Sequence, residues 1–296
     1  MDLQGVFPPI PTPFDERGTI DAHALQRNME WWNRHALSGV AVLGSNGEAV
    51  HLTDGEQEKL IAQARRLLPP DQILIAGASA FSTHATTAAV NRAANAGANA
   101  ALVLPPFYYK NQMTPDVLVK HFSTIADAAS IPIILYNVPA NTGIDIDAET
   151  IICLSQHDNV IGLKDSGGNM AKLSQVAGSA AGGFRVLAGS AGFLLPALAV
   201  GASGGILALA NIAPEYCLRI LQYHDAGQSK EAAALQGRIT SLNTAVTRRW
   251  GVPGLKAAMD RMGLYGGPPR APLVPLESPQ QQELDTLLHA TGLLGD

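Results

Sequence analysis

Eight short apolar runs recur along the chain, at residues 5–10, 39–43, 73–78, 100–104, 131–136, 160–164, 184–188 and 204–209. Most lack the polar–apolar alternation of a half-buried strand, so both faces are expected to be covered, as in a parallel sheet. Between the runs the apolar positions shift to a helical period, flanked by start and stop signals. Thr53-Asp54-Gly55-Glu56 reads as a capping box ahead of a helix over 59–68. Ser82-Thr83 caps a helix through Ala96 that Gly97 stops, and Pro115 after Thr114 suits a first helical turn.

A strand followed by a helix, repeated eight times, predicts an α/β fold of the (βα)8 TIM-barrel type. The rival is a doubly wound sheet that binds a dinucleotide. It requires G-x-G-x-x-G after the first strand, where this chain instead has Pro8, Pro9, Pro11 and Pro13. The barrel is therefore expected over residues 1–211. Residues 212–296 form a C-terminal helical extension, with helices over 214–225, 230–249 and 253–262. The stretch Gly266-Gly267-Pro268-Pro269-Arg270-Ala271-Pro272 then leads to a final helix.

Composition narrows the function classes. Of 296 residues, 47% are hydrophobic and 15% charged, with a net charge of −5, so a large core is available. Charges are dispersed, which leaves no basic footprint for nucleic acid or an anionic membrane. No run of apolar residues is long enough to span a bilayer, and the N-terminus lacks the pattern of a secretory signal. With only Cys153 and Cys217, a reducing compartment is expected: the cytoplasm, with the mitochondrial matrix left open. The sparse surface charge points to a subunit that associates with its own copies.

In a barrel, chemistry gathers where strands end and βα loops begin. Those ends carry Gly44-Ser45-Asn46-Gly47-Glu48, Pro105-Pro106-Phe107-Tyr108-Tyr109, Tyr136-Asn137-Val138-Pro139-Ala140-Asn141-Thr142-Gly143, Lys164-Asp165-Ser166-Gly167-Gly168 and Gly189-Ser190. Lys164 stands out because it closes the apolar strand Val160-Ile161-Gly162-Leu163, where a hydrated ammonium is costly. The remaining lysines, Lys172 and Lys256 among them, read as solvated side chains on helices and loops. Two readings of Lys164 stand side by side: an ion pair with Asp165 that stabilises the rim, or an amine that attacks a carbonyl to form a Schiff base. An imine of a 2-oxo acid is an electron sink that lets a neighbouring C–C bond break or form. Tyr136 is the candidate proton shuttle, with a buried core tyrosine as the alternative. The turn at 44–47 offers N–H groups, the Ser45 hydroxyl and the Asn46 amide to a carboxylate, although such a turn is ordinary loop chemistry by itself.

Taken in order, Gly44-Ser45-Asn46-Gly47-Glu48, Tyr136-Asn137-Val138-Pro139 and Gly162-Leu163-Lys164-Asp165 resemble the N-acetylneuraminate lyase/dihydrodipicolinate synthase superfamily. The likeness covers essentially the whole chain. It implies a class I, pyruvate-dependent aldolase on a (βα)8 barrel, needing no cofactor or metal because the substrate is held as a Schiff base. By this resemblance Lys164 is the Schiff-base lysine and Tyr136 the catalytic tyrosine, while Ser45 and Asn46 bind the carboxylate. Tyr108 matches a tyrosine lent across a tight dimer to the neighbouring site, with Tyr109 its substitute one residue along. A homotetramer built from tight dimers is implied.

Departures from the pattern discriminate among members. Dihydrodipicolinate synthases carry an arginine where this chain has Asn141, and a pair of threonines at Ser45 and Asn46. N-acetylneuraminate lyases place acidic residues after the glycine of strand seven, where this chain has Gly189-Ser190-Ala191-Gly192-Phe193. They also use a serine in the last strand, where this chain has Ala208 and Leu209. The particulars resemble 4-hydroxy-2-oxoglutarate aldolases, through Pro139-Ala140-Asn141-Thr142-Gly143, Lys164-Asp165-Ser166-Gly167-Gly168, Ala245-Val246-Thr247-Arg248-Arg249 and Gly266-Gly267-Pro268. Fungal 3-deoxy-hexulosonate aldolases share several of these stretches. The expected reaction joins pyruvate and an aldehyde, glyoxylate leading. Ser166, Ser190, Gly189 and Asn141 are the candidates for the aldehyde end, with helix capping the alternative for both serines. A metal-dependent barrel enzyme and a catalytically silent binding homologue are the rival classes. The eight histidines, without an H-x-H pair, speak against the first.

Overall fold

The computed structural model describes residues 1–295. Its eight strands are β1 (Gly5–Phe7), β2 (Gly39–Val42), β3 (Ile73–Gly77), β4 (Ala100–Val103), β5 (Ile133–Asn137), β6 (Val160–Asp165), β7 (Arg185–Ala188) and β8 (Gly204–Ile206). All pair in parallel, in the order β1-β8-β7-β6-β5-β4-β3-β2. The seam between β1 and β2 is closed by three bonds, the first from the Ser38 N–H to the Val6 carbonyl at 3.1 Å. The Ala41 N–H donates to the Pro8 carbonyl and the Ile10 N–H to the Ala41 carbonyl, each at 2.9 Å. Pro8 and Pro9 have no N–H to give, so β1 ends at Phe7 rather than at Ile10. β8 likewise stops at Ile206, because Ala208–Asn211 turns into a 3₁₀ helix.

The helices are α1 (Ala22–Trp32), α2 (Asp54–Leu67), α3 (Thr83–Asn95), α4 (Pro115–Ala128), α5 (Pro139–Thr142), α6 (Ala148–Leu154), α7 (Met170–Ser179), α8 (Leu194–Ala199), α9 (Pro214–Asp225), α10 (Ser229–Thr244), α11 (Gly251–Arg261) and α12 (Ser278–Thr291). The Thr53–Glu56 capping box forms and starts α2 directly at Asp54, five residues earlier than the periodicity indicated. Ser82 caps α3 through the Ala85 N–H. The helix expected over 230–249 ends at Thr244 and passes into a π-helical turn, Ala245–Arg249.

Alternation divides the sheet into two cores. Phe7, Ala41, Ile75, Leu102, Ile134, Leu187 and Ile206 cluster inside the barrel, with Phe7 in register with Ile206, Ala41 with Ile75 and Leu102 with Ile134 across neighbouring strands. The opposite positions, such as Val40, Leu74, Val103 and Val186, pack outward on the helices. α9 packs against β1 and α8, completing the ring of helices. The ring therefore ends at Asp225, and a boundary at 211/212 drawn from strands alone counts a ring helix with the extension. α10 packs on α9 outside it, and α12 packs on both α10 and α11. No helix among the described residues is long and apolar enough to cross a membrane.

Candidate active site

β5 and β6 pair with Tyr136 opposite Lys164 and Asn137 opposite Asp165. The first pair therefore faces the barrel interior and the second the helices. Lys164 is 3% exposed, and its Nζ lies 4.0 Å from the centroid of the Tyr136 ring. The Tyr136 hydroxyl is 3.2 Å from the Ser45 hydroxyl. Burial alone would push the phenol up. The Lys164 charge and hydrogen bonds from Ser45, Lys164 and Ser166 outweigh it, so the phenol sits below its ordinary value of 10.0. A lysine amine, an acidified phenol and a serine hydroxyl thus meet at one end of the barrel.

The turn after β2 holds unpaired hydrogen-bond donors. Leu43 has φ of 56°, and its carbonyl lies only 1.9 Å from where a Cβ on Gly77 would be, so that position on β3 must be glycine. The Thr12 hydroxyl donates to the Gly47 carbonyl at 2.6 Å. Among the described residues the Ser45 and Asn46 N–H groups donate to no protein acceptor. The Asn46 side-chain amide nitrogen is buried without a partner as well. An unpaired buried donor costs about 1–3 kcal/mol, so the turn has an acceptor to gain.

The aldehyde-end candidates divide. The Ser166 hydroxyl lies 2.2 Å from the place a Gly189 Cβ would take, so Gly189 leaves the space that lets Ser166 face Tyr136. The Ser190 hydroxyl is turned to the extension instead. It accepts from the Gly192 N–H at 3.3 Å and from the Asn243 amide at 3.0 Å, capping a short 3₁₀ helix. Asn141 is exposed on α5. Tyr108 and Tyr109 are 73% and 67% exposed and form an aromatic group with Phe81 and Phe107. Tyr108 makes no hydrogen bond to Tyr136 or Lys164 within the chain. Among the described residues no three His, Cys, Asp or Glu side chains converge as a metal site would require.

Two lysines read as solvated are buried. Lys172 lies beneath β6 between Asp145 and Asp165, its Nζ bonded to Asp145 and 3.2 Å from Asp165. Asp165, fully buried, also accepts from the Asn137 amide at 2.7 Å and the Gly168 N–H at 2.9 Å. It is therefore not the partner of Lys164: alternation sends it to the opposite face. The available signal was the placement of Lys172 one turn before Val176 on the inner face of α7. Lys172→Met is expected to destabilise the fold by about 3 kcal/mol, because one charge of a buried set is left unpaired. An unshifted denaturation midpoint would contradict this. Lys256 is the other exception, paired with Glu48 at 2.7 Å and equally buried. Burial pulls its ammonium down, against the opposing pull of Glu48.

The model of the dihydrodipicolinate synthetase family matches residues 2–291. A protein of Emericella nidulans described as a probable mitochondrial 4-hydroxy-2-oxoglutarate aldolase is 35% identical, covering 97% of this chain and 94% of its own. A 4-hydroxy-tetrahydrodipicolinate synthase of Methanococcoides burtonii is 34% identical over 99% of both chains. Among solved structures, dihydrodipicolinate synthase from Thermotoga maritima superposes with a TM-score of 0.94 at 27% identity, covering 99% of this chain and 100% of that one. The enzyme from Acinetobacter baumannii, solved with pyruvate, gives 0.93 at 29% identity, again over 99% and 100%. Sequence, fold and strand-end chemistry agree: the chain belongs to the dihydrodipicolinate synthetase family of pyruvate-dependent lyases.

Proposed function

We propose that this protein is a Schiff-base aldolase that interconverts 4-hydroxy-2-oxoglutarate with pyruvate and glyoxylate. The observation that carries the reading is the buried Lys164 amine over the face of Tyr136, whose hydroxyl meets Ser45. Ser45 and Asn46 dock the substrate carboxylate. The free amine of Lys164 adds to the 2-oxo carbon, and the oxygen takes up protons through Tyr136 and leaves as water. The resulting iminium draws electrons from the C3–C4 bond as the 4-hydroxyl loses its proton to Tyr136, and the aldehyde departs. Protonation of the enamine at C3 and addition of water then release pyruvate and restore the amine. The iminium supplies the electrophile, so the cycle needs no Lewis acid and no cofactor.

Glyoxylate is favoured by the fungal relative. Asn141 is a single exposed amide that cannot clamp a carboxylate bidentately as an arginine does, a departure from the synthases. Glyoxylate and aspartate semialdehyde both carry a carboxylate, so the choice between them rests on a substrate panel. Ser166 meets the aldehyde end, and Asn141 adds one hydrogen bond. The exposed aromatic face carries association into tight dimers and then a tetramer, with Tyr108 entering the neighbouring site. The cytoplasm or the mitochondrial matrix suits two unpaired cysteines. A panel of glyoxylate, glyceraldehyde, aspartate semialdehyde and N-acetylmannosamine with pyruvate is expected to give glyoxylate the highest kcat/KM, by at least ~10-fold. A preference for aspartate semialdehyde would transfer the protein to the synthase reaction, and one for glyceraldehyde to the deoxy-sugar-acid aldolases.

A further inference from the structure

The turn that presents Ser45 and Asn46 is bracketed by two residues in the left-handed region, Leu43 at φ 56° and Glu48 at φ 54°. Neither is glycine, so the surroundings must hold both in an unfavourable conformation. On the Leu43 side the barrel does this, through the space that Gly77 leaves. On the Glu48 side the restraint comes from the extension. One Glu48 carboxylate oxygen lies 2.7 Å from Lys256 Nζ on α11, with both side chains 1% exposed. The other accepts from the Arg270 N–H at 2.9 Å and lies 3.2 Å from His51 Nδ1.

The holding groups are themselves fixed. Lys256 also donates to the Pro268 carbonyl at 2.9 Å and lies over the Phe14 ring. The Lys256 carbonyl oxygen stands 1.9 Å from where a Gly266 Cβ would be, so the strand of chain after α11 folds tightly back on it. The Arg270 guanidinium grips Glu56 at 2.7 and 3.0 Å and the His51 carbonyl at 2.8 Å. The extension thereby binds both ends of the segment that follows the turn.

We propose that the C-terminal extension is part of the pyruvate site, with Lys256 and Arg270 acting through Glu48 as positioning residues for the carboxylate-binding turn. This rests on the aldolase reading above. Loss of the tether frees Glu48 to relax toward ordinary backbone angles and turns the Ser45 and Asn46 donors away from the carboxylate. Lys164 and Tyr136, on β6 and β5, stay in place.

The test uses full-length Glu48→Gln, Lys256→Met, the double variant and Arg270→Ala, read by steady-state kinetics and by borohydride trapping on Lys164 against pyruvate concentration. Half-saturating pyruvate is expected to rise at least ~10-fold in the first three and less in Arg270→Ala, since displaced positioning groups cost up to ~100-fold. The aldehyde KM, and kcat at saturating pyruvate, are expected to stay within about twofold. The double variant leaves no buried charge unpaired, so it decides the matter if either single variant fails to fold. Folded variants with unchanged half-saturating pyruvate would overturn the inference while leaving the aldolase reading intact. So would a rise in both substrates' KM together. A wild-type protein that traps no pyruvate adduct on Lys164 would overturn both.

Discussion

Lys164→Ala is expected to lose at least ~10³-fold in turnover and all borohydride-trapped pyruvate adduct; removal of a covalent nucleophile costs up to ~10⁶-fold where it is the centre of the machinery. The fold is expected to survive. Lys164 forms no ion pair among the described residues, because Asp165 is satisfied by Lys172 on the other face of the sheet. Deleting the amine therefore strands no carboxylate, and thermal denaturation close to wild type is the accompanying expectation. The pairing of these two readouts separates chemistry from structure. If Lys164 were a stabilising rim cation, the same substitution would lower the midpoint and spare turnover. An active Lys164→Ala enzyme with no adduct would end the Schiff-base assignment.

Tyr136→Phe removes one oxygen from the same pair of strands. Turnover is expected to fall by about 10²–10⁴-fold, the range of a positioned general acid–base. Trapping of pyruvate on Lys164 remains detectable but slower, since the nucleophile is intact and only its proton traffic is impaired. The substitution keeps the ring under Lys164 Nζ and leaves Ser45 without its 3.2 Å partner, which water in the barrel mouth can replace. Structural cost is accordingly small. Wild-type turnover in this variant would show that the phenol is a core tyrosine whose hydroxyl only satisfies Ser45. The position of the phenol below its ordinary value supports proton transfer, because a group nearer the working pH both gives and takes a proton more readily.

Several errors of the one-dimensional reading share a cause. Lys172 and Lys256 lie on helices with mixed faces, and periodicity alone does not tell a solvated lysine from one aimed at a buried carboxylate. Their partners, Asp165 and Glu48, lie 7 and 208 residues away, on β6 and in the turn after β2. The extension's hold on that turn is equally invisible in a linear motif. Ser190 shows the reverse case. Its strand-end position invites a substrate role, yet alternation after the inward Leu187 turns its hydroxyl toward Asn243 and the 3₁₀ helix it caps.

Local rules were sufficient for the eight strands and most helices. Two-sided apolar runs can only be satisfied inside a covered parallel sheet, and caps and prolines act within a few residues. Lys164 was legible for the same reason: a lone charge closing an apolar strand carries its anomaly in its immediate neighbours. Contacts between distant segments set the rest. The register of β5 against β6 puts Tyr136 beside Lys164 and sends Asp165 away from it. Closure of the barrel brings Ser45 to that phenol across 91 residues, and packing of the extension sets Lys256 against Glu48. Such pairings depend on burial, direction and register, which exist only once the chain has closed on itself.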